Sequence, residues 1–597
     1  MILKALYDYY HRIGDLAPAG MNYKEIAFLI VIDKEGNFVR IEDCHIDNKT
    51  CRKFLVPKGA RSGSKPKPYL FWDNVEYVFN YTKDHPALDE KEALDVSKVK
   101  EREKAIEKAI EKTLIKHRSL VEKYNAIAQQ YPDNIGFKAV CSFYEKGELD
   151  RVKESPLWEK ITKKPTVNIS FLLDRELQII AEDKDLQTLI SEKEKQKEVS
   201  NLSVCLITGE KAEAVKSTTP TPISGKQPTG RLIAFQKRSG YDSYGKSQGL
   251  NAPISKEAAD SYTTALNKLL EKDSHNKFII GTRTFIFWGS TKSEASIEAE
   301  ESIFSLLGYN ESDADDPNRR IEQVRKTFKA IYSGTLNTNL EDRFYFLGLA
   351  PNSAREAVIY WDESELKEFA GRILQHFEDM EIVDTRKEKK PYFGLFQIMS
   401  AVSLEGKSSN IQPNLPEIVT KSIIEGIPYP YALLLACIKR IRAEQKIKIT
   451  RAAIIKAYLN RINDNTKKIE IMVDKENKNQ GYLCGRLFAT LEYLQERSNG
   501  INSIRSRYMN AASATPSAVF PTLLNLSVHH AEKLEKGMQI YFEQIKTEII
   551  EKIVAEGFPT HLTLLDQGRF MVGYYHQRQF FYTKKTDKTI NNTEQKN

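Results

Sequence analysis

A run of basic side chains with no carboxylate, followed at once by aromatics, is the stretch of this 597-residue chain best suited to chemistry with a polyanion. Seven bases, Lys49, Arg52, Lys53, Lys58, Arg61, Lys65 and Lys67, precede the first acid, Asp73. Tyr69, Trp72 and Asn74 stand beside that acid. The Gly, Ser and Pro content between Pro57 and Pro68 marks a loop rather than a helix. Such a loop can lay Lys and Arg along a phosphate backbone, with amide and aromatic groups near the grooves or bases. Lys58, Arg61, Lys65 and Lys67 are the candidate phosphate or groove contacts, and Lys49, Arg52 and Lys53 are further backbone contacts. Asn74 carries an amide that can donate and accept at a base edge; its competing role is a turn cap. Tyr69 and Trp72 can stack or wedge, or, for Trp72 above all, simply pack in a core. A solvated surface, a small-anion site and an acidic protein partner remain open for the loop as a whole.

Two other basic clusters have the same character. Lys237, Arg238 and Lys246 mix with glycines and tyrosines between Gln236 and Lys246, a pattern that suits a phosphate or single-strand contact and equally a structural loop. Arg486, Arg505 and Arg507, with Lys533, Lys536, Arg569 and Arg578, could form a basic surface on a C-terminal helical bundle. Enzyme signatures are missing. The chain has no phosphate-binding Gly-x-x-x-x-Gly-Lys-Ser/Thr loop, no His-Glu-x-x-His and no Gly-x-Ser-x-Gly. His529 and His530 are adjacent on an expected helix and point apart. Asp313, Asp315 and Asp316 are too close in sequence to suggest more than a turn or a helix cap. Cys44 and Cys51, with His45 between them, lack the second ligand pair that zinc needs. No cofactor or metal is expected. A nuclease whose carboxylates converge from distant elements stays possible on sequence grounds.

The elements that must position these groups follow from size and pattern. The length exceeds one ordinary domain, and 41% hydrophobic content is ample for a core. The net charge of +8 arises from 89 bases against 81 acids, so local placement matters more than bulk charge. The six cysteines are scattered and imply no disulfide framework. The opening residues are too polar for a signal peptide, and no run approaches the roughly 20 apolar residues of a membrane span. A cytoplasmic protein without membrane contact is expected.

Leu3 to Tyr10 reads as a helix. The apolar run Ile26 to Ile32, a turn at 33–37 and Phe38 to Ile41 read as a hairpin that would display the basic loop. Residues 97–127 read as a helix with an apolar stripe of Ile106, Ile110, Leu114 and Leu120. Segment 182–200 reads as an exposed helix or hinge. Strands are expected at 204–207, 231–235, 278–288 (interrupted at Gly281), 343–349 and 357–361, with a helix at 257–271. Helices are expected at 416–425, 429–443, 449–460, 482–497 and 522–556. The last carries Leu534, Met538, Tyr541, Ile545 and Ile549 on one face. The fold class is therefore α+β: mixed N-terminal and middle regions with a C-terminal helical bundle. A new composition begins near Leu202 and strand signals fade from about residue 414, so the expected divisions are 1–200, 201–390 and a helical remainder from 391, with a frayed tail after Lys585.

The residues also resemble a known family, the large subunit of the type I-C CRISPR surveillance complex, Cascade. The similarity runs in order through Met1-Ile2-Leu3-Lys4-Ala5-Leu6-Tyr7-Asp8-Tyr9-Tyr10, then Val56-Pro57, Arg61-Ser62-Gly63 and Tyr69-Leu70-Phe71-Trp72-Asp73-Asn74-Val75-Glu76-Tyr77. It continues at Cys205-Leu206-Ile207-Thr208-Gly209-Glu210, Phe235, Ser243-Tyr244-Gly245 and Asn251-Ala252-Pro253. Phe344-Tyr345-Phe346-Leu347-Gly348-Leu349-Ala350-Pro351-Asn352, Gly426-Ile427-Pro428-Tyr429-Pro430 and Gly485-Arg486-Leu487-Phe488-Ala489 complete it.

The resemblance implies a non-catalytic subunit of an RNA-guided DNA-binding machine. It would sit beside the crRNA 5′ handle, contact the backbone subunits, the crRNA-processing subunit and small subunits, and recognise the PAM in double-stranded target DNA. It would aid duplex opening, stabilise the R-loop by holding the displaced single strand, and support a helicase-nuclease that cuts. In such machines the protein reads a short duplex tag and base pairing reads the rest. The family also makes a small subunit from an internal start, which the resemblance would place at Met472, dividing a helical connecting region 391–471 from a C-terminal bundle 472–597. Met472 equally suits an ordinary core residue in Ile469-Glu470-Ile471-Met472-Val473. A metal-dependent nuclease and a purely structural assembly protein are the alternatives.

Overall fold

The structure is a computed structural model. It describes the chain except residues 15, 19, 48–49, 60–65, 83–95, 196–201, 222, 224–229, 236–241, 243, 281, 308–316, 353–354, 387–392, 408–409, 413, 463–467, 501–502 and 584–597. The chain forms two compact units that interleave in sequence. One holds Ile13–Thr219 and Phe235–Ala265; the other holds Met1–Arg12, Pro220–Ala234 and Leu266–Asn597. The fold is α+β, as the sequence implies.

The unit containing the basic loop has a short antiparallel pair, β1 (Met21–Glu25) with β4 (Lys53–Pro57), and a four-stranded sheet. The sheet order is β3 (Phe38–Asp43), β2 (Phe28–Ile32), β6 (Asn168–Leu173), β5 (Trp72–Asn74). Strand β2 reads Phe-Leu-Ile-Val-Ile and is buried at every position, the pattern of a strand covered on both faces. It pairs antiparallel with β3, giving the expected hairpin, and parallel with β6. The turn closes on Asp33, whose carboxylate accepts from the backbone and side-chain nitrogens of Asn37, both at 2.7 Å.

The helix Val96–Gln130 crosses this core, but its buried row differs from the expected stripe. Thr113, Leu120, Tyr124 and Ile127 are buried, while Ile110 and Leu114 are exposed. Leu120 belongs to both rows; the steps of four from Ile106 to Leu114 drift around a 3.6-residue helix, whereas a buried seam alternates threes and fours. The expected strand at 204–207 is a minimal hairpin of β7 (Leu202–Val204) and β8 (Lys211–Glu213). Segment 182–200 is a helix, Lys184–Lys195, over its described part.

The other unit centres on an antiparallel sheet in the order β12-β11-β10-β9. Its strands are β9 (Lys277–Ile280), β10 (Arg283–Gly289), β11 (Arg343–Asn352) and β12 (Arg355–Glu365). Residues 231–235, expected as a strand, contribute only an isolated bridge from Arg231 to Arg355. The first helix, Ile2–Ile13, brings Tyr9 against the buried Trp288, and Arg12 bonds the Gly289 carbonyl and the Glu300 carboxylate.

A continuous apolar core joins this sheet to the helices that follow. The expected 522–556 helix is two, Pro516–Glu532 and Lys536–Ile550, broken at Lys533–Glu535. The Leu564–Tyr582 helix was not expected. It packs on Gln480–Asn499 with almost no space between backbones. A Cβ on Gly485 would lie 2.0 Å from the Phe570 carbonyl oxygen, and one on Gly573 would lie 2.3 Å from that of Tyr482. Only glycine allows this approach.

Candidate nucleic-acid interface

The basic loop is held firmly at both described ends. Its entry is β4, registered on β1 so that Lys53 faces Glu25 and Pro57 faces Met21. Its exit is the turn from Tyr69 to Asn74, organised by one fully buried carboxylate. Asp73 accepts from the backbone N–H of Tyr69 at 2.9 Å and of Asn74 at 2.7 Å. Phe71 takes the left-handed conformation (φ +58°), and its ring is stacked against both Tyr124 and Phe137. Its carbonyl accepts from the Ser170 hydroxyl at 2.8 Å. The Tyr-Leu-Phe-Trp-Asp-Asn sequence thus builds a rigid corner.

Entry and exit are stapled together. Trp72 is buried, and its indole N–H donates to the Pro57 carbonyl at 3.1 Å. Tyr69 stacks on Trp72 with ring centroids 4.4 Å apart. Gly59 lies directly on Tyr69: a Cβ there would come within 1.8 Å of the ring. Trp72 is therefore a core residue rather than a wedge. Tyr69 is half-buried and braces the loop.

Between these ends lies a cleft of about 620 Å³ whose lining includes Lys58, Lys67, Tyr69, Ser119, Glu122 and Lys123. Three ammonium groups against one carboxylate make it a net cationic recess of a size that admits a phosphate group. Lys58 already has a partner: its Nζ lies 3.3 Å from Asp260 and donates to Thr264 Oγ1 at 3.3 Å. Lys123 donates to the Pro68 carbonyl at 2.8 Å, tying the helix Val96–Gln130 to the loop. Local sequence carries no signal for Asp260, Thr264 or Lys123, because the fold alone brings them to the loop.

The remaining candidates divide sharply. Lys49, Arg61, Lys65, Lys237 and Arg238 lie outside the described residues, as do Asp313, Asp315 and Asp316. Asn74 is the N-cap of the Val75–Phe79 helix, its Oδ1 accepting from Tyr77 N at 3.4 Å. Arg52 is half-exposed, lies 3.1 Å from Cys44 Sγ and 3.7 Å from Glu42, and covers the Phe54 ring. Lys53 and Lys246 are exposed, the latter beside the fully exposed Tyr244.

Arg486 is not on a surface. It is buried, bonds Gln577 at 2.9 Å and Glu548 at 2.8 Å, and depresses the Glu548 carboxyl against the opposing effect of burial. A guanidinium on a helix buried nearly all round must be paired inside. Arg505 pairs with the buried Glu492 at 3.3 Å, Arg569 with Asp566 at 3.0 Å, and Arg578 with Glu496 at 2.9 Å. Only Arg507, Lys533 and Lys536 of that expected surface are exposed.

Among the described residues, no three His, Cys, Asp or Glu side chains gather as a metal site, and no helix is long and apolar enough to cross a membrane. The protein is CRISPR-associated: residues 6–582 match the family described as CRISPR-associated protein (Cas_Csd1). The chain belongs to that family, the large subunit of the type I-C Cascade. No curated protein matches it at a significant level.

Proposed function

We propose that this Cascade subunit recognises the PAM of double-stranded DNA with the loop between β4 and β5, beside the crRNA 5′ handle. The observation that carries the reading is the cationic cleft of Lys58, Lys67 and Lys123, braced by a buried aromatic and carboxylate corner. Phosphate contacts from those lysines fix the register of the duplex. The subunit then aids duplex opening, stabilises the R-loop and supports the helicase-nuclease, without catalysing cleavage itself. It works in the cytoplasm with crRNA, the displaced strand and the other Cascade subunits.

The Lys58–Asp260 pair adds a condition. A phosphate that takes Lys58 competes with a carboxylate 3.3 Å away, which favours a closely fitting duplex over any passing anion.

The test is duplex binding by the assembled complex carrying Lys58→Ala and Lys67→Ala, measured across salt concentrations with and without the PAM. Loss of two phosphate contacts lowers the slope of log K against log[salt] by about 1.8. Unchanged affinity and slope on both duplexes would refute the assignment. Cleavage by this complex with a divalent metal, in the absence of the helicase-nuclease, would instead favour a nuclease.

A further inference from the structure

A second concentration of positive charge lies in the other compact unit, at residues that the loop reading does not use. Between Ile427 and Ile462 there are eight Lys or Arg and a single carboxylate, Glu444. The buried bases there have structural work. Arg451 bonds Glu444 at 2.7 and 2.8 Å and the Ala401 carbonyl at 2.8 Å. Lys456 reaches the Asp379 carbonyl at 3.1 Å, and Arg461 pairs with the Asp379 carboxylate. Arg440 also bonds Glu444. The one local acid is thus bonded by the guanidinium groups of Arg451 and Arg440, and Lys448 Nζ stands 3.8 Å from the same carboxylate.

What faces outward is cationic. Lys439, Lys446 and Lys448 are exposed at the corner between the Tyr431–Glu444 and Ile449–Arg461 helices. Arg442, one helical turn from Lys439 and on the same face, is anchored by Gln567 Oε1 at 2.8 Å. The Ser503–Ala512 helix is fastened beside the corner. Gln445 Nε2 donates to the Ser506 carbonyl at 3.0 Å, and Asn510 Nδ2 to the Arg442 carbonyl at 3.4 Å. Arg507, exposed, follows Ser506 on that fastened helix. Acids on adjoining segments are themselves paired, Glu405 with Lys407 at 2.6 Å and Asp566 with Arg569 at 3.0 Å.

We propose that this corner binds the phosphodiester backbone of a nucleic-acid strand through Lys439, Arg442, Lys446, Lys448 and Arg507. Lys439 and Arg442 stand in the last turns of one helix, Lys446 and Lys448 in the short link to the next and Arg507 on a third helix, and cations supplied by several segments fit a chain of repeating monoanions better than one compact anion. They carry no base-edge reader, so the contact is independent of sequence. The neighbouring Gln445, Ser506 and Asn510 are polar and already bonded to one another's elements, so the patch lacks the apolar groups by which an amphipathic surface enters a lipid headgroup layer. The corner uses none of the residues of the loop cleft, and the inference does not depend on PAM recognition.

The test uses the full chain with Lys439→Gln, Lys446→Gln and Lys448→Gln combined, and a labelled oligothymidine strand as probe. Anisotropy titrations across salt give affinity and slope. Loss of three single-strand phosphate contacts lowers the slope by about 2 and the affinity near 0.1 M salt about 100-fold. The three lysines are exposed, so circular dichroism should match the parent. If the triple variant fails to fold, the Lys446→Gln and Lys448→Gln pair is read instead, with a slope change of about 1.4. A Lys58→Ala, Lys67→Ala variant measured in parallel reports the loop by itself, so failure at one site is distinct from failure at the other. Unchanged affinity and slope for the strand would overturn the proposal. So would a defect confined to polyglutamate or to anionic phosphatidylserine vesicles with DNA binding intact.

Discussion

Gly59→Ala is the smallest change that tests how the basic loop is held. The added Cβ would sit 1.8 and 1.9 Å from two atoms of the Tyr69 ring, where an ordinary contact begins at 3.4 Å. Ring or backbone must therefore yield by about 1.6 Å, well beyond what a packed contact absorbs without strain. The ring has little freedom. It stacks on Trp72 at 4.4 Å, and its own backbone N–H is bonded to Asp73 at 2.9 Å. Breaking the stack costs about 0.5–1.5 kcal/mol, and overpacking typically costs about 1–3 kcal/mol. The cheaper response is for the loop to lift off the ring, so the expected local loss is about 1–2 kcal/mol without global unfolding.

Hydrogen exchange read by mass spectrometry over residues 53–79 measures that loss as faster exchange confined to this segment. Target affinity should fall with it, because the cleft loses one wall. In a Tyr69→Ala background the same glycine substitution has nothing to strike and should be nearly silent, giving a coupling of about 1 kcal/mol or more between the two sites. Exchange and affinity identical to the parent in the Gly59→Ala variant would refute the packing argument.

Two further outcomes follow from the helical part. Gly485→Ala places a methyl 2.0 Å from a backbone oxygen that cannot rotate away. The variant should lose about 2–3 kcal/mol despite alanine's better helix propensity, and a urea midpoint at or above the parent's would contradict the close crossing. Glu444 is lowered from its ordinary 4.5 to about 2, first by hydrogen bonding to Arg451 and then by Arg440 and Lys448. A depressed folded pKa means this contribution is complete above pH 4.5 and disappears as the pH falls toward 2. The advantage of the parent over Glu444→Gln should shrink across that window in acid-unfolding curves, and a pH-independent difference would dismiss the ion pairs as its source.

How much of this was readable in the residues depends on whether the cause was local. The β2–β3 hairpin was, because a run of branched and aromatic residues ending in Asp-Lys-Glu-Gly-Asn carries its own turn. The Leu564–Tyr582 helix was not: Gly568 through Gln577 are all buried, so polar Arg569, His576 and Gln577 sit where a stripe would have placed aliphatics. In the candidate site, the bases were conspicuous but their commitments were hidden. Lys58 is held by Asp260, and Arg486 by Gln577 and Glu548, partners set by tertiary packing alone. Asn74 and Trp72 matched both a reading role and a structural one, and only the cap and the Pro57 bond show what the fold uses them for.

The placement of the first helix bears on synthesis. Arg12 binds the carbonyl of Gly289, 277 residues later in the chain. At a ribosomal rate of roughly 5–20 residues per second, Arg12 waits about 14–55 s for that acceptor. Throughout that interval Ala5, Leu6 and Tyr9, buried in the finished protein, lack the strand Arg283–Gly289 beneath them. The nascent chain therefore carries an uncovered sticky segment for nearly half of its translation, the condition under which holding chaperones engage.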